Sequence, residues 1–300
     1  MTAKGVKFFF SPEYGADIGA HVFATGKFAE VAELMRPQGE LIAPGMPSAE
    51  DLALAHEPLW VSKVINDAMT LEDSTLMELP FSPAVSRAHQ LQVSGTILAC
   101  RDALENGVGL HIGGGSHHAF PDHGEGFCVL NDIACGIIKM RVERRLSRAA
   151  VVDLDVHQGN GTAAIFRGDP DVFTFSMHQE NIYPPIKPPS SLDVGLPEGM
   201  GDAAYLSLLE NNLPAVFESH PELVVYQAGV DCAAGDLIGG LKLTKEGLGR
   251  RDELVFKACW DHRVPVAVTL GGGYSGSIKE TAALHAQTLM TGIAFRNFLK

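Results

Sequence analysis

The 300-residue chain is short of positive charge: 23 Lys and Arg stand against 36 Asp and Glu, a formal net charge of −13. A polyphosphate ligand asks for the opposite balance, so no nucleic-acid partner is expected. A basic substrate, such as a lysine side chain or a polyamine, stays compatible. Cysteine is scarce and scattered. The five cysteines (Cys100, Cys128, Cys135, Cys232, Cys259) form no CxxC pair. An odd number without a secretory signal fits a reducing compartment, and the cytoplasm is the expected location. The opening MTAKGVKFFFSPEYG has too short an apolar core for a signal peptide. No run approaches the ~20 apolar residues of a membrane span. Repeats, low-complexity runs and linkers are missing too. With 46% hydrophobic and 20% charged residues, the composition is that of an ordinary globule, and one domain over residues 1–300 is the economical expectation.

What is present is concentrated in AAVVDLDVHQGNGT, Ala149–Thr162. It opens as a buried strand and then places Asp153, Asp155 and His157 on alternate positions, which share one face of a strand. Burying two carboxylates and an imidazole without partners costs several kcal/mol, on the order of 2–7 each. A divalent metal site explains them better than core packing does. Around this stretch the chain alternates. Apolar runs occur at Val6–Phe10, Val108–Ile112, Ala149–Leu154, Val172–Ser176, Leu223–Ala228 and Val264–Leu270. Helical spacing marks Phe28–Met35, Ser86–Glu105, Asn131–Leu146, Gly201–Phe217, Thr244–His262 and Ser277–Phe298, the last opening on a Ser277-x-x-Glu280 capping box. Ser48-x-x-Asp51 resembles a helix start, weakened by Asp in place of Glu, and Thr70–Pro83 reads as a surface loop. Strands alternating with helices predict an α/β fold with one central parallel sheet and helices on both faces.

In such a sheet the C-terminal strand ends lie on one edge, where ligands bind. Each of the last five apolar runs is followed by polar chemistry: Gly113-Gly114-Gly115 with His117-His118, then Asp155 and His157, Ser176 and His178, Asp231, and Gly271-Gly272-Gly273 with Tyr274. Asp155 and His157 supply two metal ligands, and Asp231 is the natural third of a catalytic site with an open position. Zinc is favoured, with Fe(II) or Co(II) fitting the same donors. His117 and His118 suit acid–base work, one accepting a proton from water and one stabilising or donating. Tyr274 can donate to a developing oxyanion. Asp153 sits one pleat deeper, to orient a histidine or to bind a structural cation completed by Ser176, Met177 and the His157 carbonyl. Phe127, which alone reads as core, and Tyr183 are candidate walls of a narrow channel. Cys128 reads as a buried structural thiol, and His21 as a solvated loop histidine.

The motifs GGGSHHAF (Gly113–Phe120), GFCVLND (Gly126–Asp132), DLDVHQGNGT (Asp153–Thr162), YQAGVD (Tyr226–Asp231) and GGGY (Gly271–Tyr274), in this order, resemble the zinc-dependent histone deacetylase family. That family includes acetylpolyamine amidohydrolases and acetoin-utilisation proteins. QGNG, the NIYP segment (Asn181–Pro184) and RDELVF (Arg251–Phe256) most resemble its class IV branch; before residue 85 the likeness is looser. The resemblance implies the arginase/deacetylase fold. It implies zinc on Asp155, His157 and Asp231; His118 as general base and acid with His117 as electrostatic partner; and Tyr274 polarising the scissile carbonyl. It further implies a potassium ion on Asp153, Asp155, His157, Ser176 and Met177, and an acyl-lysine channel lined by Gly126 and Phe127. Asn160 stands where many relatives carry an aspartate that pairs with the second histidine, and a neutral partner lowers that histidine's basicity. Gln158 stands where many have histidine. The expected activity is removal of an acetyl or longer acyl group from a lysine side chain in a protein or peptide. The alternatives are hydrolysis of an acylated polyamine or other small amine, and a non-catalytic acyl-lysine binding protein, against which the complete set of ligands, histidines and tyrosine argues.

Overall fold

The apolar runs of the chain are too short for helices and too uniformly apolar for a strand with a wet face, so they must be covered on both sides. The computed structural model describes residues 5–296. It gathers the runs into an eight-stranded sheet in which every pairing is parallel. The strands are β1 (Lys7–Phe9), β2 (Glu40–Ile42), β3 (Val108–His111), β4 (Ala149–Asp153), β5 (Val172–Gln179), β6 (Leu192–Leu196), β7 (Val224–Gln227) and β8 (Val266–Thr269). Their order across the sheet is β2-β1-β3-β8-β7-β4-β5-β6. The six expected strands are all present. The two that sequence spacing did not mark, β2 and β6, are the outermost strands, half-exposed and without a continuous apolar run.

The helices are α1 (Lys27–Met35), α2 (Ala49–Leu52), α3 (Pro58–Ile65), α4 (Leu71–Met77), α5 (Pro83–Asn106), α6 (Asp132–Val142), α7 (Asn160–Ile165), α8 (Asp202–Glu218), α9 (Lys245–His262) and α10 (Ile278–Ala294). Successive strand residues feed two cores. Ala150, Val152 and Leu154 pack with apolar residues of α1, α8, α9 and α10, whereas Ala149 and Val151 pack with those of α3, α5 and α6. Helices therefore cover both faces, as the alternation predicts.

Local expectations need correcting in places. Thr70–Pro83 is not a loop throughout: α4 occupies part of it, opened by a capping box between Thr70 and Asp73. Ser48 and Asp51 also close a complete box, so the shorter Asp reaches the cap backbone as Glu does. Ser277 makes no side-chain cap; the Ser275 hydroxyl instead meets the Thr281 hydroxyl at 2.7 Å. The expected last helix extended to Phe298, and its residues 297–298 lie outside the described residues.

Three histidines outside the metal-competent cluster are buried in these cores. His56 Nε2 accepts from the Asn131 N–H at 2.8 Å, His111 lies 2.9 Å from both Tyr14 Oη and Thr96 Oγ1, and His89 Nδ1 has no hydrogen-bond partner. Burial pulls His56 and His89 down to about 4 and His111 to about 3. The unfolded chain binds protons at these positions near pH 6.5 and the folded chain does not, so stability is lost as pH falls from 6.5 toward 4. At pH 5 each such imidazole costs about 2 kcal/mol. His89→Leu, which fills similar space without a proton site, is expected to gain about that much over wild type at pH 5 and far less at pH 8. Urea denaturation at the two pH values checks this, and a gap that fails to widen at pH 5 contradicts it.

Candidate active site

Because β3, β4, β7 and β8 run in one direction, the loops that follow them meet at one sheet edge. β4 delivers Asp155 and His157, and β7 delivers Asp231. The three are buried, with one donor atom from each lying within 4.8 Å of the others. His157 Nδ1 stands 3.2 Å from Asp155 Oδ1 and 3.4 Å from Asp231 Oδ2. Burial and the Asp155 charge push Asp231 up to about 7. At His157 burial is outweighed by the two carboxylates, which hold it up to about 10. Asp231 Oδ1 accepts from the Val156 N–H at 2.9 Å, whereas Oδ2 has no hydrogen-bond partner. Asp155 Oδ2 accepts from the Gly272 N–H at 2.7 Å. A Cβ on Gly272 would come 1.9 Å from Asp231 Oδ2, and one on Gly229 2.3 Å from Asp155 Oδ2. Only bare backbone leaves the two carboxylates room.

The loop after β3 is tied down before it reaches the histidines. Asp132, opening α6, accepts from the N–H groups of Gly115 at 3.0 Å and Ser116 at 2.7 Å. Gln227 of β7 donates to the Gly115 carbonyl at 2.9 Å. His117 and His118 emerge with ring centroids 4.1 Å apart and opposite electrostatics. His117 Nδ1 lies 2.7 Å from Asp153 Oδ2. Burial would lower His117, but the Asp153 and Asp155 carboxylates raise it to about 9, so it holds its proton at neutral pH. His118 Nδ1 lies 2.6 Å from Asn160 Oδ1. Burial and the charges of His117 and His157 keep His118 well below its ordinary value, so it stays neutral, with one ring nitrogen free to accept a proton. Two neighbouring imidazoles pushed apart in this way divide electrostatic and proton-accepting roles between them.

Tyr274 follows β8. Its N–H donates to Asp236 Oδ2 at 2.7 Å, and burial together with Asp231 and Asp155 raises its phenol well above its ordinary value, so the hydroxyl remains a donor. Gly126, Phe127, Tyr183, His118, His157 and Tyr274 line a cavity of about 210 Å³. Phe127 holds φ at 64°, an uncommon value for an aromatic residue, inside a turn closed by reciprocal backbone bonds between Glu125 and Cys128. Its ring stacks on Phe23 at 5.8 Å. Beyond His118 an inner cavity of about 30 Å³ reaches Asp155, His117, Ser116 and Cys128. Outward, Tyr183 and Glu78 lead to a groove of about 990 Å³.

The residues singled out in the sequence thus largely converge. Ser176 pairs with Asp153 in the β4–β5 register, and Met177 is buried beside it in the strand. Cys232 points away from the cavities, its thiol 3.3 Å from the Leu154 carbonyl. His21 is not simply solvated: its ring meets Phe127 edge-on at 5.0 Å and its Nε2 lies 2.9 Å from the Glu78 carbonyl. Sequence reasoning missed Lys27, Glu125 and Asp236. Lys27 is buried, donates to the Gly271 carbonyl at 2.9 Å and lies 5.1–5.5 Å from the rings of Phe23, Tyr274 and Phe28. Burial pulls it down to about 8 against the opposing pull of Asp231, Asp155 and Asp236. A lysine at the first turn of an amphipathic helix gives no sign of such burial.

Comparison with known proteins yields one domain family: the histone deacetylase domain matches residues 21–290. An uncharacterized protein from Picosynechococcus is 40% identical over 284 residues, covering 92% of this chain and 95% of that one. Histone deacetylase 2 of Arabidopsis thaliana is 32% identical over 272 residues, covering 86% of this chain and 70% of its own. Polyamine deacetylase HDAC10 of Mus musculus is also 32% identical over 272 residues, covering 81% of this chain and 40% of its own length. No helix among the described residues is long and apolar enough to cross a membrane.

Proposed function

The chain belongs to the histone deacetylase family of hydrolases, with the arginase/deacetylase fold, and from that premise we propose that it is a zinc-dependent hydrolase removing acyl groups from lysine side chains. The observation that carries this reading is the buried Asp155–His157–Asp231 cluster, whose His157 lines the same cavity as His118 and Tyr274. Two carboxylates and an imidazole fit zinc, Asp231 Oδ2 accepts no hydrogen bond and has only the His157 imidazole 3.4 Å away, and the glycine-lined surroundings leave space for the donors to converge. When bound there, zinc supplies Lewis-acid polarisation of the carbonyl and a water more easily deprotonated.

The chain's own residues do the rest. His118, its Nδ1 held by Asn160, takes the proton of the attacking water on Nε2. The Tyr274 hydroxyl donates to the oxyanion as the carbonyl carbon becomes tetrahedral. His117, protonated beside Asp153, stabilises the same negative charge. His118 then returns its proton to the departing amine, and the C–N bond breaks. Gly126, Phe127 and Tyr183 wall the lysine stem. Potassium on Asp153, Asp155, His157, Ser176 and Met177 is part of this reading, supported by the Asp153–Ser176 pairing where β4 and β5 end. In this proposal the protein is one catalytic domain working in the cytoplasm.

The small inner cavity of about 30 Å³ favours acetyl over long acyl chains. A second reading, hydrolysis of an acylated polyamine, is favoured by the outer groove, where Glu72, Glu78 and Glu125 supply carboxylates without a basic residue among its lining. The relatives named polyamine deacetylase agree with it. The test is a panel of acetyl-, octanoyl- and myristoyl-lysine peptides and acetylputrescine, with and without chelator. Acetyl-lysine is expected to turn over fastest, to stop on chelation and to recover with zinc. Faster acetylputrescine hydrolysis selects the second reading, and chelator-insensitive turnover or none at all sinks both.

A further inference from the structure

The partner of His118 is an amide, and an amide can present either end. Asn160 joins His118 Nδ1, 2.6 Å from its Oδ1, to Glu125 Oε1, 3.0 Å from its Nδ2. Glu125 decides which end faces which. An ionised carboxylate only accepts hydrogen bonds, so the amide N–H must face it. The amide oxygen then faces His118, the proton of the neutral imidazole must sit on Nδ1, and the lone pair is left on Nε2. Glu125 meets the condition. Burial opposes its ionisation, but hydrogen bonds from His123, Tyr183 and Asn160 hold it below its ordinary value.

Glu125 is itself well fixed. Its N–H donates to the Cys128 carbonyl at 3.0 Å, and the Cys128 N–H returns a bond at 2.9 Å. His123 Nε2 stands 3.6 Å from Glu125 Oε2. The oxygen that accepts from Asn160 also accepts from the Tyr183 hydroxyl, and the Tyr183 ring meets the His118 ring edge-on at 5.0 Å. One carboxylate therefore sets both the direction of the amide and the aromatic wall above the imidazole.

We infer that Glu125 is a positioning residue: through the Asn160 amide it holds His118 as the Nδ1–H tautomer with Nε2 free, and through the Tyr183 hydroxyl it fixes the cavity wall over that ring. This rests on the reading of His118 as the base, but part of its test does not. Nitrogen NMR of histidine-labelled, zinc-loaded protein is expected to find neutral His118 protonated on Nδ1 in the wild type, and a mixture of tautomers in Glu125→Met, where the amide loses its acceptor. A wild-type His118 protonated on Nε2, or a variant with an unchanged tautomer, overturns the inference. In kinetics, Glu125→Met is expected to lower kcat about tenfold with KM changed less than about twofold. In an Asn160→Asp background the same substitution is expected to cost at least about threefold less, because only the Tyr183 contact is then lost. The carboxylate at 160 accepts from Nδ1 unaided, and removing Glu125 relieves a like-charge contact. An equal loss in both backgrounds means a merely structural role and overturns the inference. If the wild type hydrolyses no acyl amide, the functional reading fails and the wild-type tautomer still decides this one.

Discussion

His118→Ala is expected to lower kcat on an acetyl-lysine peptide by about 10³ while the purified protein keeps its zinc, because a positioned general base contributes on the order of 10²–10⁴. The separation is physical. His118 hydrogen-bonds Asn160 and lies beside His117, whereas the metal-competent donors belong to Asp155, His157 and Asp231. Removing the imidazole therefore takes away the proton acceptor and leaves the cation site whole. Tyr274→Phe should cost about 10²–10³, the usual loss for one oxyanion donor. That variant keeps the ring against Phe127 and the N–H on Asp236, so KM should move little and the loss should fall on kcat. Metal analysis beside steady-state kinetics checks both. Near-wild-type turnover in either variant, or zinc lost together with activity, would contradict the assignment.

How much of this was legible depends on where the physical signal resides. Strand period and burial are local, so the six long apolar runs announced themselves, and parallel topology carried their polar ends to one edge without any distance being known. Asp155, His157 and Asp231 could be grouped because a carboxylate or imidazole after a buried strand has few structural uses. Edge strands β2 and β6 carry no such run and stayed hidden. So did α4, whose Thr70–Asp73 capping box sits in a polar segment. Lys27 reaches the site across 244 residues of sequence, to the Gly271 carbonyl. Nothing near it in the chain distinguishes it from a solvated lysine. Glu125 lies beside the recognisable Gly126-Phe127-Cys128, yet its work is done on Asn160 and Tyr183, 35 and 58 residues away. Side chains that hold other side chains write no pattern of their own.

The metal-linked stability of the protein tests the cluster without recourse to catalysis. Asp155 and Asp231 face one imidazole nitrogen at 3.2 and 3.4 Å, and Asp231 Oδ2 is buried without a hydrogen-bond donor. Two buried carboxylates share one imidazolium, which leaves an excess negative charge that destabilises the fold, and a bound cation reverses the sign of that contribution. Zinc held at 1,000 times its Kd adds about 4 kcal/mol, on the order of 10 °C in Tm for a chain of this size. Chelation should remove that increment from the wild type. Asp231→Asn keeps an acceptor for the Val156 N–H, which now bonds Oδ1 at 2.9 Å, while discarding the charge. The chelated variant should therefore melt above the chelated wild type, and zinc should raise its Tm little or not at all. The two substitutions of state cross: the protein with the better metal-free fold is the one that cannot use the metal. Thermal denaturation of both proteins, with chelator and with zinc, measures the crossing. A variant that melts lower than wild type under chelator, or one that gains as much from zinc, would mean that the three side chains are held together by packing alone.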